Sequence, residues 1–142
     1  MQSEKFQEIN LLDVGCGAGI FSIEFMMKNK HLKINHLVLC DIDENALANS
    51  FQNIVYYKEM FNLDKITIIK SNLLKDLPFK FKNYFDVVLA NMPQTPSKQR
   101  IRSKLLIEIG DKHGGLLGIE LYCELFEDLT KFTKTEFKTY IL

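Results

Sequence analysis

The chain has 142 residues and a mass of 16.5 kDa, the size of one domain with one sizeable core. Its 46% hydrophobic and 25% charged residues exclude a disordered chain. Eighteen basic residues balance eighteen acidic ones, so the net charge is zero; this excludes a protein that grips nucleic acid with its whole surface, but not a local basic patch.

Ile9 to Val14 is a short apolar run ending in glycines and reads as a buried strand. Ala18 to about Lys30 has helical apolar spacing. Asn35 to Cys40 reads as a second buried strand, stopped by Asp41. Asp43 caps the next helix, which places Leu47, Phe51, Ile54 and Val55 on one face and runs to about Met60. Lys65 to Ile69 is a third strand and Tyr84 to Ala90 a fourth, with loop from Ser71 to Asn83 between them. Arg100 to Ile109 is a helix ended by Gly110, Gly115 to Leu121 a fifth strand, Tyr122 to Phe132 a helix and Glu136 to Ile141 a sixth strand.

This alternation, with uninterrupted apolar strands, predicts an α/β fold: a doubly wound, mostly parallel sheet covered on both faces. Ligands of such sheets bind beyond the strand C-terminal ends, at the switch point. Those ends carry Asp13 to Gly19, Cys40 to Asp43, Ser71-Asn72 and Asn91 to Gln94. Cys16, Cys40 and Cys123 are odd in number and widely spaced, with no C-x-x-C and no zinc-ligand spacing among His31, His36 and His113. Free thiols in a reducing compartment and no metal follow. The polar stretch from Met1 to Glu8 lacks a signal-peptide pattern, and no apolar run approaches the roughly 20 residues of a membrane span. The expectation is a cytoplasmic protein with no membrane contact.

Leu12-Asp-Val-Gly-Cys-Gly-Ala-Gly19 follows a strand and opens a helix, where glycines let the backbone turn tightly against a ligand. The dinucleotide fingerprint G-x-G-x-x-G needs glycine at position 20, which is Ile20; the third glycine is Gly19. Asp13 precedes the loop, and a carboxylate there suits a cationic amine or sulfonium better than a pyrophosphate. Asp41 ends the second strand, where a carboxylate accepts hydrogen bonds from ribose hydroxyls. The ligand so described has a ribose and no pyrophosphate, which disfavours a nicotinamide-dependent oxidoreductase.

On these residues the sequence resembles the class I S-adenosylmethionine-dependent methyltransferases, whose first motif Leu11 to Gly19 matches almost letter for letter. The resemblance covers residues 9 to about 121 and implies a Rossmann-like sheet and S-adenosyl-L-methionine as cofactor. It implies that the Gly15, Cys16, Gly17 and Gly19 backbone passes the methionine part, Asp13 sits near its amino group and Asp41 holds the ribose. It further implies that Ile42 packs on the adenine and that the Asn72-Leu73 turn contacts the adenine amino group.

Asn91-Met-Pro-Gln94 resembles the N-P-P-[YFW] motif of methyltransferases that modify amide or exocyclic amino nitrogens. In such a nitrogen the lone pair is delocalised; two acceptors binding its N–H groups pull it pyramidal and hold it near attack distance. By the resemblance these acceptors are the Asn91 side chain and the Met92 carbonyl, and no metal is called for. Met92 replaces the first proline, Pro93 keeps Met92 extended, and Gln94 replaces the stacking aromatic residue. With Thr95-Pro-Ser97 the segment is similar to release-factor glutamine methyltransferases, and the D-V-G-C-G-A-G start is similar to rRNA guanine-N2 methyltransferases. The substrate implied is a protein or a nucleic acid. Lys98, Arg100, Arg102 and Lys104 form a basic run suited to phosphate or an acidic protein. Oligomeric state is open. The alternative is a catalytically inactive cofactor-binding domain, a partner subunit or fragment of a larger enzyme, favoured by Met92 and Gln94. Folds of this resemblance have seven strands and six can be counted here, so the expectation is one domain, a bare or clipped catalytic core lacking the last strand.

Overall fold

Every residue from Ile9 to Val14 is buried, and a strand with no solvent face must be covered on both sides. The computed structural model describes residues 7–93 and 119–141. Its elements in chain order are β1 (Gln7–Val14), α1 (Ile20–Lys28), β2 (Leu32–Asp41), α2 (Glu44–Tyr56), β3 (Ile66–Lys70), β4 (Phe85–Ala90), α3 (Glu120–Phe132) and β5 (Thr133–Ile141). The five strands form one sheet in the order β3-β2-β1-β4-β5, and every neighbouring pair is parallel.

Alternation along the strands splits the core in two. Leu11, Leu37, Leu39 and Leu89 meet Ile23, Phe25 and Met26 of α1 and Leu47 and Ile54 of α2 on one face. Leu12, Val14, Val38 and Val88 meet Tyr122, Leu125 and Leu129 of α3 on the other. The sheet is therefore doubly wound, as expected. The order of strand addition reverses between β1 and β4, whose C-terminal residues Val14 and Ala90 pair, with Cys40 of β2 on the other side of Val14. That is the switch point.

Several boundaries differ from expectation. β2 starts at Leu32 rather than Asn35 and includes Asp41. α2 ends at Tyr56, and Lys58–Met60 is a separate single turn, because Ile54-Val-Tyr-Tyr57 is a run of poor helix formers. The strand expected over 115–121 is corrected where the chain is described: Glu120 and Leu121 lie in α3, whose Tyr122, Leu125 and Leu129 recur at helical spacing toward the sheet. An acid in the first turn suits a helix start. β5 instead begins at Thr133 and pairs directly with β4, so the described sheet has five strands rather than six. The Arg100 to Ile109 helix and Gly110 lie outside the described residues. Among those residues no helix is long and apolar enough to cross a membrane.

Asp43 accepts the Asn45 backbone N–H at 2.9 Å and caps α2 as expected. Asp43→Ala should cost about 1 kcal/mol of stability. A urea titration checks this, and an unchanged midpoint would show that the cap contributes nothing.

Candidate cofactor and acceptor site

The turn after β1 runs in left-handed backbone, with φ +64° at Gly15, +51° at Gly17 and +73° at Gly19. Two of these positions have different reasons to be glycine. A Cβ at Gly19 would lie 3.1 Å from Ser50 Cβ and 3.3 Å from Ser50 Cα, so close packing of the loop on α2 requires the glycine. A Cβ at Gly17 would meet nothing within 4 Å; it would project into open space above the loop.

The loop is held from both sides. The Cys16 N–H donates to the Cys40 carbonyl at 3.0 Å, the Gly17 N–H to Asp41 Oδ2 at 2.9 Å and Asn53 Nδ2 to the Ala18 carbonyl at 2.9 Å. It borders a cavity of about 180 Å³ lined by Asp13, Gly15, Cys16, Gly17, Ala18, Ile20, Phe21 and Asn91. Asn91, exposed at the end of β4, thus shares one cavity with the glycine loop 70-odd residues earlier in the chain.

Asp13 is only 1% exposed. Ser22 Oγ, in the first turn of α1, donates to its Oδ2 at 2.6 Å. Burial pushes the Asp13 carboxyl up to about 7, against the Ser22 hydroxyl and backbone N–H, which favour its charge, and with a smaller push from Asp41. A buried carboxylate with neutral partners is a ready acceptor for a cationic group. Burial likewise pushes the Cys16 and Cys40 thiols up, so neither is a thiolate nucleophile near neutral pH.

Asp41 is half-buried; Oδ2 binds the Gly17 N–H and Oδ1 the Asp43 N–H at 3.0 Å. Each oxygen has a second lone pair for a ligand hydroxyl. Ile42 follows it, half-buried. The Ser71 N–H donates to the Asp41 carbonyl at 2.9 Å, which sets the next turn beside β2. Within that turn Asn72 is exposed, its N–H bound to Asp76 Oδ2 at 3.0 Å, and Leu73 has φ +54°. Asp41, Ile42, Asn72 and Leu73 therefore stand at the neighbouring strand ends and do not line the cavity itself; Asp41 touches its rim through the Gly17 N–H.

Met92 is buried, with its side chain against Gly15: a Cβ there would lie 3.2 Å from Met92 Cγ. Its N–H donates to Tyr122 Oη at 3.0 Å, and the Tyr122 O–H faces the Met92 carbonyl at 3.5 Å. Pro93 follows, half-buried; Gln94 and the basic run Lys98, Arg100, Arg102 and Lys104 lie outside the described residues. Sequence reasoning missed Ser22, Ile20, Phe21 and Tyr122. Only Ile20 carried a signal, an apolar residue at a helix start where the dinucleotide fingerprint has glycine.

Asp13, Asp41 and the open ground over Gly17 fit a ligand with a cationic head and a ribose. The family model of the methyltransferase small domain matches residues 1–110. The ribosomal protein L11 methyltransferase of Helicobacter acinonychis (strain Sheeba) is 32% identical over 84 residues, 58% of this chain and 22% of that protein. The one from Lactobacillus johnsonii is 32% identical over 92 residues, 65% of this chain and 25% of that protein. The matches thus span about a quarter of the length of these relatives. The crystal structure of the ribosomal protein L11 methylase from Lactobacillus delbrueckii subsp. bulgaricus superposes with a TM-score of 0.61 at 17% identity, over 95% of this chain and 51% of that one. Geranyl diphosphate C-methyltransferase from Streptomyces coelicolor A3(2), solved with S-adenosyl-L-homocysteine, gives 0.58 at 15% identity, over 94% of this chain and 39% of that one. These two likenesses show the shared Rossmann-like fold.

Proposed function

We propose that this chain, which belongs to the methyltransferase small domain family, transfers a methyl group from S-adenosyl-L-methionine to an amide or exocyclic amino nitrogen of a protein or nucleic-acid substrate. The cofactor is the one the family implies. The observation that carries the reading is the single cavity onto which both the glycine loop and Asn91 open. The L11 methyltransferase relatives favour a protein acceptor.

When bound, the cofactor supplies a methyl group on a cationic sulfur. The chain's own residues bind and orient. Gly15, Cys16, Gly17 and Gly19 pass the methionine portion, and Asp13 faces its ammonium. Asp41 accepts from the ribose hydroxyls, while Ile42, Asn72 and Leu73 border the adenine. Asn91 Oδ1 and the Met92 carbonyl accept the N–H groups of the acceptor nitrogen and localise its lone pair. Tyr122 holds the Met92 peptide in place from behind. Pro93 restricts Met92.

Isothermal calorimetry with S-adenosyl-L-homocysteine should give a dissociation constant in the micromolar range, on the order of −8 kcal/mol. No heat from the folded protein would overturn the reading. Gly17→Ala should weaken this binding at least about tenfold, because its methyl occupies the open ground, while costing only about 1–2 kcal/mol of stability from left-handed backbone. Equal affinity in the variant would remove the ligand from this loop.

A further inference from the structure

We propose that the surface formed by Phe79, Lys80, Lys82 and Lys65 binds single-stranded nucleic acid, at the opposite end of the sheet from the candidate site. Phe79 is 81% exposed, whereas Phe81, two residues on, is buried in the core. The same turn buries one aromatic ring and leaves the other largely in water. The lysines gather round these rings: Lys82 Nζ stands 5.5 Å from the Phe79 centroid and Lys80 Nζ 5.0 Å from that of Phe81. Lys65 arrives from a different segment, just before β3 and two residues ahead of Thr67, which bonds His36 beside the Phe81 ring. Burial lowers the His36 pKa, and the charges of Lys80 and Lys65 lower it further.

None of the ion pairs among the described residues engages Lys65, Lys80 or Lys82. Lys70 and Lys75, close by in sequence, are each paired with a glutamate, whereas the lysines beside the rings are in none of these pairs. Backbone hydrogen bonds define the turn. The Phe81 N–H donates to the Pro78 carbonyl and the Lys82 N–H to that of Phe79, both at 3.0 Å; the Asn83 and Tyr84 N–H groups bond the end of α3 at 3.1 and 2.8 Å. Beneath it His36 is clasped between Tyr84 Oη and Thr67 Oγ1, both at 2.8 Å.

An exposed ring set among ammonium groups is the pairing that takes a stacked base and its flanking phosphates. An acidic peptide would satisfy the lysines and leave Phe79 without a partner. β4 lies between this surface and Asn91, about 20 Å at roughly 3.3 Å per residue over its six residues. The surface is thus a docking site separate from the chemistry, and it does not depend on the proposed methyl transfer.

Fluorescence anisotropy with labelled twelve-nucleotide oligo(U) and oligo(dT), without cofactor, tests this on the 142-residue chain. The expected result is micromolar binding at low salt, with a log–log salt slope of about −2 for three phosphate contacts. Phe79→Ala should weaken binding at least about fivefold at unchanged salt slope, through lost stacking. Lys80→Glu and Lys82→Glu should each weaken it several-fold and flatten the slope. Lys138→Glu, the same charge change on β5 at the far edge of the sheet, should alter affinity less than twofold. A preference for oligo(U) over oligo(dT) assigns the natural ligand to RNA, and equal affinity to single strands of either sugar; both support the surface. It is overturned by absence of binding, by a Lys138→Glu loss equal to that of Lys80→Glu, or by a polyglutamate peptide binding as tightly as the oligonucleotides.

Discussion

Asp13→Asn should stabilise the chain relative to wild type by an amount that grows by about 4 kcal/mol between pH 4 and pH 7 and then levels off. The sign follows from the direction of the shift. The Asp13 carboxyl titrates near 7 in the fold against an ordinary value of 3.8, because burial disfavours its charge. Between those values the folded chain holds a proton that the unfolded chain has released. The stabilisation from keeping it is complete below pH 4 and is lost as pH rises through 7. Asparagine keeps the acceptor for Ser22 Oγ and carries no charge to bury. Urea denaturation of both proteins at several pH values gives the difference directly, and a pH-independent difference would mean that Asp13 is ionised throughout. A cationic ligand group beside Asp13 adds a second effect. It favours the carboxylate, so S-adenosyl-L-homocysteine should bind wild type more tightly as pH rises from 5 to 7, and the variant should lack this trend.

Asn91→Ala should lower methyl transfer by about a hundredfold to a thousandfold, the scale of removing one well-placed hydrogen-bonding group from a transition state. Asn91 is exposed and outside the core, so stability should change by less than about 0.5 kcal/mol. In the proposed reaction it contacts the acceptor rather than the cofactor, so S-adenosyl-L-homocysteine affinity should hold. The measurement is label transfer from methyl-tritiated cofactor into protein and nucleic-acid fractions of a cell extract, wild type beside variant. Equal labelling by the two removes Asn91 from the reaction. No labelling by a wild type that still binds cofactor favours the inactive cofactor-binding domain instead.

The strands were legible because the central ones are rich in closely spaced apolar residues; Ile9, Leu11, Leu12 and Val14 of β1 are all buried. The glycine loop was legible for a related reason, since Gly17 and Gly19 occupy backbone that other residues avoid. What escaped sequence reasoning depends on contacts between distant residues. Ser22 is an unremarked serine on an apolar helix until α1 folds back to place it on Asp13, and Tyr122 reaches Met92 across 30 residues. Neither pairing has a local pattern. The strand expected up to Leu121 shows a different limit. A short apolar run reads the same in a buried strand and in a helix, and only the spacing of Tyr122, Leu125 and Leu129 separates them.

The hydrogen bond from Gly17 to Asp41 has a consequence for recognition. One carboxylate shapes the loop and, in the proposed binding mode, also faces the ribose, so the loop reaches its binding geometry when the domain folds rather than when a ligand arrives. The ordering cost is incurred once, during folding, and association should be fast with little rearrangement. The same economy makes the corner brittle, because a change at Asp41 disturbs the loop and the sugar contact together, and no substitution there separates the two.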